Sequence, residues 1–158
     1  MPNNVLVDTN IWHFAFVSPK ESKFVEVHVK ARKALEELLA NEGIRIVMSA
    51  YQAGEILEVL RRSGVDVKTR EGLIEDFKSG KFYVKDLTFS AVERAITDSS
   101  RSQIHVYDYL VAYPVKGLVE RIYSADDHFF HKHFTFAEVV NPLYPWILRE
   151  GITPFKQN

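Results

Sequence analysis

The feature that most constrains the fold is a run of three aliphatic residues that stops on a carboxylate, Val5-Leu6-Val7-Asp8, followed by Thr9-Asn10. Three consecutive apolar side chains need cover on both faces. A strand inside a parallel sheet receives that cover, and a half-solvated antiparallel strand does not. Asp8 sits where this strand ends and adds little to a core. In open α/β sheets the carboxyl ends of the strands are where ligands bind. The chain is therefore expected to build a covered, parallel sheet with Asp8 at its functional edge.

The rest of the chain alternates in a way that supports this. Ile11 to Val17 is expected to leave the strand as a short helix or turn. Phe24 to Asn41 is expected to be a helix, because Ala31, Ala34, Leu35, Leu38 and Leu39 recur at spacings of three and four, with Gly43 as its stop. Ile44 to Met48 forms a second strand, and Ser49 suits the N-cap of a helix from Tyr51 to Arg62. On that helix Ala53, Ile56, Leu57 and Leu60 share a face, Glu55 lies roughly opposite, and Gly64 marks the end. A weaker helix over Val65 to Ser79, a short strand at Phe82 to Val84 and a helix over Ser90 to Ser99 follow.

Ile104 to Ala112 reads as a buried helix, with a strand as the alternative, and Pro114 kinks or ends it. Arg121 to Ser124 is a strand running into Ala125-Asp126-Asp127, and Phe134 to Val140 reads as a last edge strand. This alternation argues for an α/β sandwich around a mostly parallel sheet. Residues 1–142 are expected to form the domain, with a tail over 143–158 packed on its surface.

Composition removes several classes. A chain of 158 residues, 46% of them apolar, fits one domain with a sizeable core. It has no apolar run near the ~18 residues that span a bilayer, and Met1 to Asn4 lacks the basic region of a signal peptide. The absence of cysteine excludes disulfides, thiolate catalysis and cysteine-zinc sites. A cytoplasmic protein is the expectation. With a formal net charge of −1, handling phosphates would need a local basic patch or bound metal ions.

Two strands end alike, one in Asp8 and one in Ser124-Ala125-Asp126. If the two are neighbours at the switch point of the sheet, their carboxylates meet at its carboxyl edge. Glu55, in the first turns of the helix after the second strand, can point at the same edge. Asp108 stands inside an apolar and aromatic helix, where a charge needs a partner or a cation. Four converging carboxylates would repel one another, so a hard cation such as Mg²⁺ or Mn²⁺ is their natural occupant.

Asp8-Thr9-Asn10, Glu55, Asp108 and Ser124-Ala125-Asp126, in that order and on those elements, resemble the motifs of the PIN-domain nucleases. The small single-domain members of that family are the VapC-type toxins of toxin–antitoxin pairs. The resemblance spans roughly Val5 to Val140. It implies a three-layer α/β/α sandwich whose five-stranded sheet has the order 3-2-1-4-5. It implies that Asp8, Glu55, Asp108 and Asp126 are catalytic acids that bind metal, with Thr9, Asn10 and Ser124 orienting ligands or substrate behind them. The spacing from Ser124 selects Asp126 over its neighbour Asp127. The implied reaction is Mg²⁺- or Mn²⁺-dependent cleavage of RNA phosphodiester bonds by an activated water, with one or two ions in the site both left open. The implied partners are the RNA substrate, a cognate antitoxin that blocks the groove, and a second copy in a homodimer, with no membrane.

Departures from the family pattern are extra length around Pro19 to Lys30 and a tail from Leu143 onward that carries no family motif. Two alternatives stay open at this point. One is a PIN-family RNA processing or decay nuclease without an antitoxin. The other is an inactive PIN-fold module binding RNA or protein, against which the four intact acids argue. His128, His131 and His133 read as surface histidines, and Trp12, Phe14 and Phe16 as core packing. Arg61, Arg62, Lys116, Arg121 and Lys132 could guide an RNA backbone but singly read as solvated charges.

Overall fold

A computed structural model of the chain describes residues 2–149 and 153–157. Five strands form one sheet: β1 (Asn3–Val7), β2 (Ile44–Ser49), β3 (Phe82–Lys85), β4 (Arg121–Tyr123) and β5 (Glu138–Val140). Their order is β3-β2-β1-β4-β5 and every pairing is parallel. The sheet therefore has the expected order, with β1 at its centre.

The cover expected for Val5-Leu6-Val7 comes from two separate cores. Successive side chains of a strand point to opposite faces. Val5 and Val7, with Ile46 and Met48 of β2, face one core, and Leu6, Val47 and Ile122 face the other. On the first face pack Ile11 and Trp12 of α1 (Thr9–Phe16), and Val27, Ala31 and Leu35 of α2 (Val25–Ala40). Ile56 and Leu60 of α3 (Ala50–Arg62) join them, with Leu73 and Phe77 of α4 (Val67–Phe77). The second face is covered by Ala95 of α5 (Phe89–Ser102) and by Tyr109, Val111 and Ala112 of α6 (Val106–Ala112). The result is a three-layer α/β/α sandwich. Each large apolar side chain removed from water in these layers contributes about 1.5–3 kcal/mol.

Local chemistry sets the helix ends. Ser49 Oγ accepts from Gln52 N at 3.0 Å and starts α3, and Asp66 Oδ1 accepts from Thr69 N at 2.7 Å and starts α4. Past α3, Gly64 adopts φ +87°, a left-handed stop that suits glycine. The helical reading of the segment before Pro114 holds, since α6 ends at Ala112 and Tyr113–Val115 continues as a single 3₁₀ turn.

Two expectations change. The edge strand is only Glu138–Val140, because Phe134 lies in a 3₁₀ turn, Lys132–Phe134, and is fully buried against Tyr109 and Phe129. Tertiary packing of one ring there overrides the alternating pattern. The tail is also more than a surface cover. Leu143, Trp146 and Leu148 belong to the first core, and Trp146–Ile147 pairs antiparallel with Phe155–Lys156. Among the described residues no helix is long and apolar enough to cross a membrane.

Candidate active site

Asp8 leaves β1 at the centre of the sheet's carboxyl edge. Its backbone N–H donates to Tyr123 O at 2.9 Å, which extends the β1–β4 ladder by one step and brings the ends of these strands together. Its carboxylate is bound at both oxygens. Oδ1 accepts from Thr9 N at 2.8 Å, capping α1, and Oδ2 accepts from Ser124 Oγ at 2.6 Å. Ser124 Oγ in turn accepts from Asp126 N at 2.9 Å, so one hydroxyl ties the two strand-end acids into one unit. Beneath them Gln52 Nε2 donates to Val7 O at 2.6 Å and pins the last carbonyl of β1 to α3.

Glu55 projects from the second turn of α3. The Thr9 hydroxyl donates to one of its oxygens, and the Tyr51 hydroxyl donates to the other at 3.0 Å. Tyr51 and Glu55 are four apart on the helix and so lie one above the other. Asp108 occupies the first turn of α6, where the helix dipole favours a negative charge. Asp126 caps the 3₁₀ turn Asp127–Phe130 by accepting from His128 N at 2.9 Å.

These elements enclose a cleft of about 760 Å³. Asp8, Glu55, Asp108 and Asp126 all line it, together with Thr9 and Asn10. Tyr51 and Tyr107 stack within the lining, with ring centroids 6.0 Å apart and planes 6° from parallel. The far wall comes from the tail, through Leu148, Arg149 and Pro154. Asp127 is not among the residues lining the cleft and forms a two-pronged ion pair with Arg149, one contact of which is 2.6 Å.

Crowding shows in the electrostatics. Burial pushes the Asp8 carboxyl well above the usual aspartate range; the charge of Asp108 adds to this, the Ser124 bond works against it, and Asp126 and Glu55 add further. Asp126 is raised as well, chiefly by burial, against the opposing effect of the His128 N–H and imidazole.

All four acids expected from the sequence thus reach one cleft. Two residues near it are not among the expected site residues, and one of them, His128, reads from the sequence as a surface histidine. His128 Nδ1 stands 3.2 Å from Asp108 Oδ2 and 3.5 Å from Asp126 Oδ1, so it is no ordinary surface histidine. Its signal was its place two residues after Asp126. Gln52 was missed because it is polar, although its spacing of four from Ile56 and eight from Leu60 puts it on the buried stripe. His131 and His133 bond to each other instead, and His133 Nδ1 lies 2.8 Å from the Tyr109 hydroxyl.

The fold has counterparts among solved structures. The fold matches VapC20 from Mycobacterium tuberculosis, a sarcin–ricin-loop-cleaving toxin, with a TM-score of 0.61. Identity is 17%, and the match covers 80% of this chain and 92% of that one. The chain has a PIN-like fold. The same PIN-like fold matches VapBC2 from Rickettsia felis, solved bound to a DNA fragment from its promoter, with a TM-score of 0.56 at 16% identity. That match covers 87% of this chain and 98% of that one. A toxin–antitoxin complex from Klebsiella pneumoniae gives a TM-score of 0.57 at 19% identity, covering 87% of this chain and 97% of that one. No family model and no curated protein matches the PIN-like chain by comparison.

Proposed function

We propose that this chain is a divalent-metal-dependent endoribonuclease of the VapC toxin type, with Asp8, Glu55, Asp108 and Asp126 as its catalytic acids and metal-binding groups. The observation that carries the reading is the meeting of these four carboxylates in one cleft at the switch point of the sheet.

The residues present fit a divalent cation. Asp8 and Asp126 are buried carboxylates whose neighbours are further acids, and a cation supplies the counter-charge this environment otherwise makes costly. The donors of Asp108, Asp126 and His128 lie within 4.8 Å of one another. When bound, Mg²⁺ or Mn²⁺ lowers the pKa of a water and polarises a phosphoryl oxygen.

The chain's own side chains do the positioning. Ser124 holds Asp8 and Asp126 in register, while Thr9 and Tyr51 fix the rotamer of Glu55. Asn10 lines the same cleft, and its Oδ1 is buried with no hydrogen-bond partner among the described residues, a group available to orient substrate. Arg62 and Arg149 bring positive charge to the walls, where they offset RNA phosphates. In this reading a cognate antitoxin blocks the cleft, and a second copy of the chain completes a homodimer.

The test is cleavage of a mixed RNA pool with Mn²⁺, comparing wild type with Asp8→Asn. Wild type is expected to cut, chelation to stop it, and the variant to be slower by at least about 10²-fold. Equal cleavage by Asp8→Asn would sink the nuclease reading. For the toxin assignment, a short upstream reading frame whose product inhibits cleavage is the expected companion.

A further inference from the structure

We propose that His128 is itself a metal ligand, making the centre a mixed nitrogen–oxygen site that favours first-row transition ions over Mg²⁺. This rests on the metal-dependent reading above and departs from it in the donor set. An oxygen-only set of four acids has no reason to discriminate against Mg²⁺, whereas an imidazole nitrogen does.

Convergence is the first argument. Asp108 Oδ2, Asp126 Oδ1 and His128 Nδ1 come from two different elements, the first turn of α6 and the turn after β4. The nitrogen stands 3.2 Å from one oxygen and 3.5 Å from the other. Adjacent donors of an octahedral ion with ~2.1 Å bonds stand ~3.0 Å apart, so the imidazole nitrogen already stands near that spacing from each oxygen, and all three donors lie within 4.8 Å of one another. Among the described residues no other three histidine or acid donors come as close together.

The second argument is how the imidazole is held. His128 is held in place from behind, because its backbone N–H donates to Asp126 Oδ1 at 2.9 Å. The backbone thus couples the imidazole to the carboxylate it would share an ion with.

The competing role for His128 is a hydrogen-bond donor to Asp108, with Nδ1 protonated and unavailable to metal. Spectroscopy separates the two. The tag-free 158-residue chain is titrated with Mn²⁺ in competition with Mg²⁺, following the free-ion EPR signal. The Mn²⁺-loaded chain is then examined for electron spin echo modulation from a coordinated ¹⁴N. The variants are His128→Ala and His128→Gln, each checked for native circular dichroism, with Asp108→Asn as a control expected to lose binding. If His128 is a ligand, wild type shows nitrogen modulation that both variants lose. Their Mn²⁺ affinity drops by at least about tenfold while Mg²⁺ affinity changes by less than about twofold. Tight Mn²⁺ binding without nitrogen modulation, unchanged in the variants, overturns the role of His128 and leaves the metal-dependent reading standing. Failure of wild type to bind Mn²⁺ at all overturns both.

Discussion

The Ser124 hydroxyl donates to Asp8 Oδ2 over 2.6 Å, joining residues 116 positions apart at the tips of two adjacent strands. It also accepts from Asp126 N. Ser124→Ala leaves a buried carboxylate oxygen and a buried N–H without this partner, a loss of about 1–3 kcal/mol. Urea denaturation at neutral pH measures it. Because the hydroxyl opposes the rise in the Asp8 pKa, the variant's cleavage profile should also move toward alkaline pH. An unchanged midpoint and profile would show that the bond does not matter.

Stability should depend on pH in an unusual direction at this site. Asp8 and Asp126 bind protons more tightly in the fold than in the unfolded chain, mainly through burial. A native state that binds more protons loses stability as pH rises. Their contribution is therefore neutral below the ordinary aspartate pKa of about 3.9 and increasingly destabilising from there up through the raised folded values. In metal-free urea melts, the stability of Asp8→Asn minus that of wild type should grow as pH rises from about 4 to about 8. Saturating Mn²⁺ should stabilise the wild type and shrink that difference. A difference that stays flat with pH would contradict the burial argument.

Gln52 sets two effects against each other. Its Nε2 satisfies Val7 O at 2.6 Å, while its Oε1 is buried with no hydrogen-bond partner among the described residues. Gln52→Leu forfeits the first and relieves the second, for a net loss of about 1 kcal/mol. Gln52→Glu sets a buried carboxylate against the carbonyl and should cost at least about 3 kcal/mol. The expected stability order by chemical denaturation is wild type, then Leu, then Glu. A Leu variant more stable than wild type would remove Gln52 from the support of β1.

The cations at the cleft wall should register in salt dependence. Under the proposed function, in an Asp8→Asn background Arg62→Ala should lower the slope of log RNA affinity against log salt by about 0.7. Arg149→Ala should change it less, because Asp127 already pairs with Arg149. Fluorescence anisotropy across a salt series gives both slopes. Equal slopes for all three proteins would place the RNA backbone elsewhere.

The central sheet was legible because its signals are local. Three aliphatic residues before Asp8, a serine before α3 and a glycine after it each act within a few residues of where they stand. Asp8, Asp108 and Asp126 were legible through context, since each closes or interrupts an apolar element, whereas Glu55, opposite the apolar stripe of α3, was legible only through the family resemblance. What escaped depended on distant packing. Phe134 looks like part of a strand until Tyr109 and Phe129 draw it into a turn. Leu143, Trp146 and Leu148 reach the core from a turn, a two-residue strand and the residue just past it, too short to show any period. His128 was hidden by its company, because three histidines in six residues read as one surface group when only one of them meets the acids.

Asp8 caps α1 with the same carboxylate that faces the cleft. In the proposed nuclease, that double duty narrows how activity could be lost while the fold is kept. Alanine at position 8 would remove the cap and the charge together, whereas asparagine keeps a capping oxygen and discards only the chemistry. A lineage drifting from enzyme to silent binding partner therefore has an easy first step at this codon, and a binding descendant would be expected to carry Asn there with the helix intact.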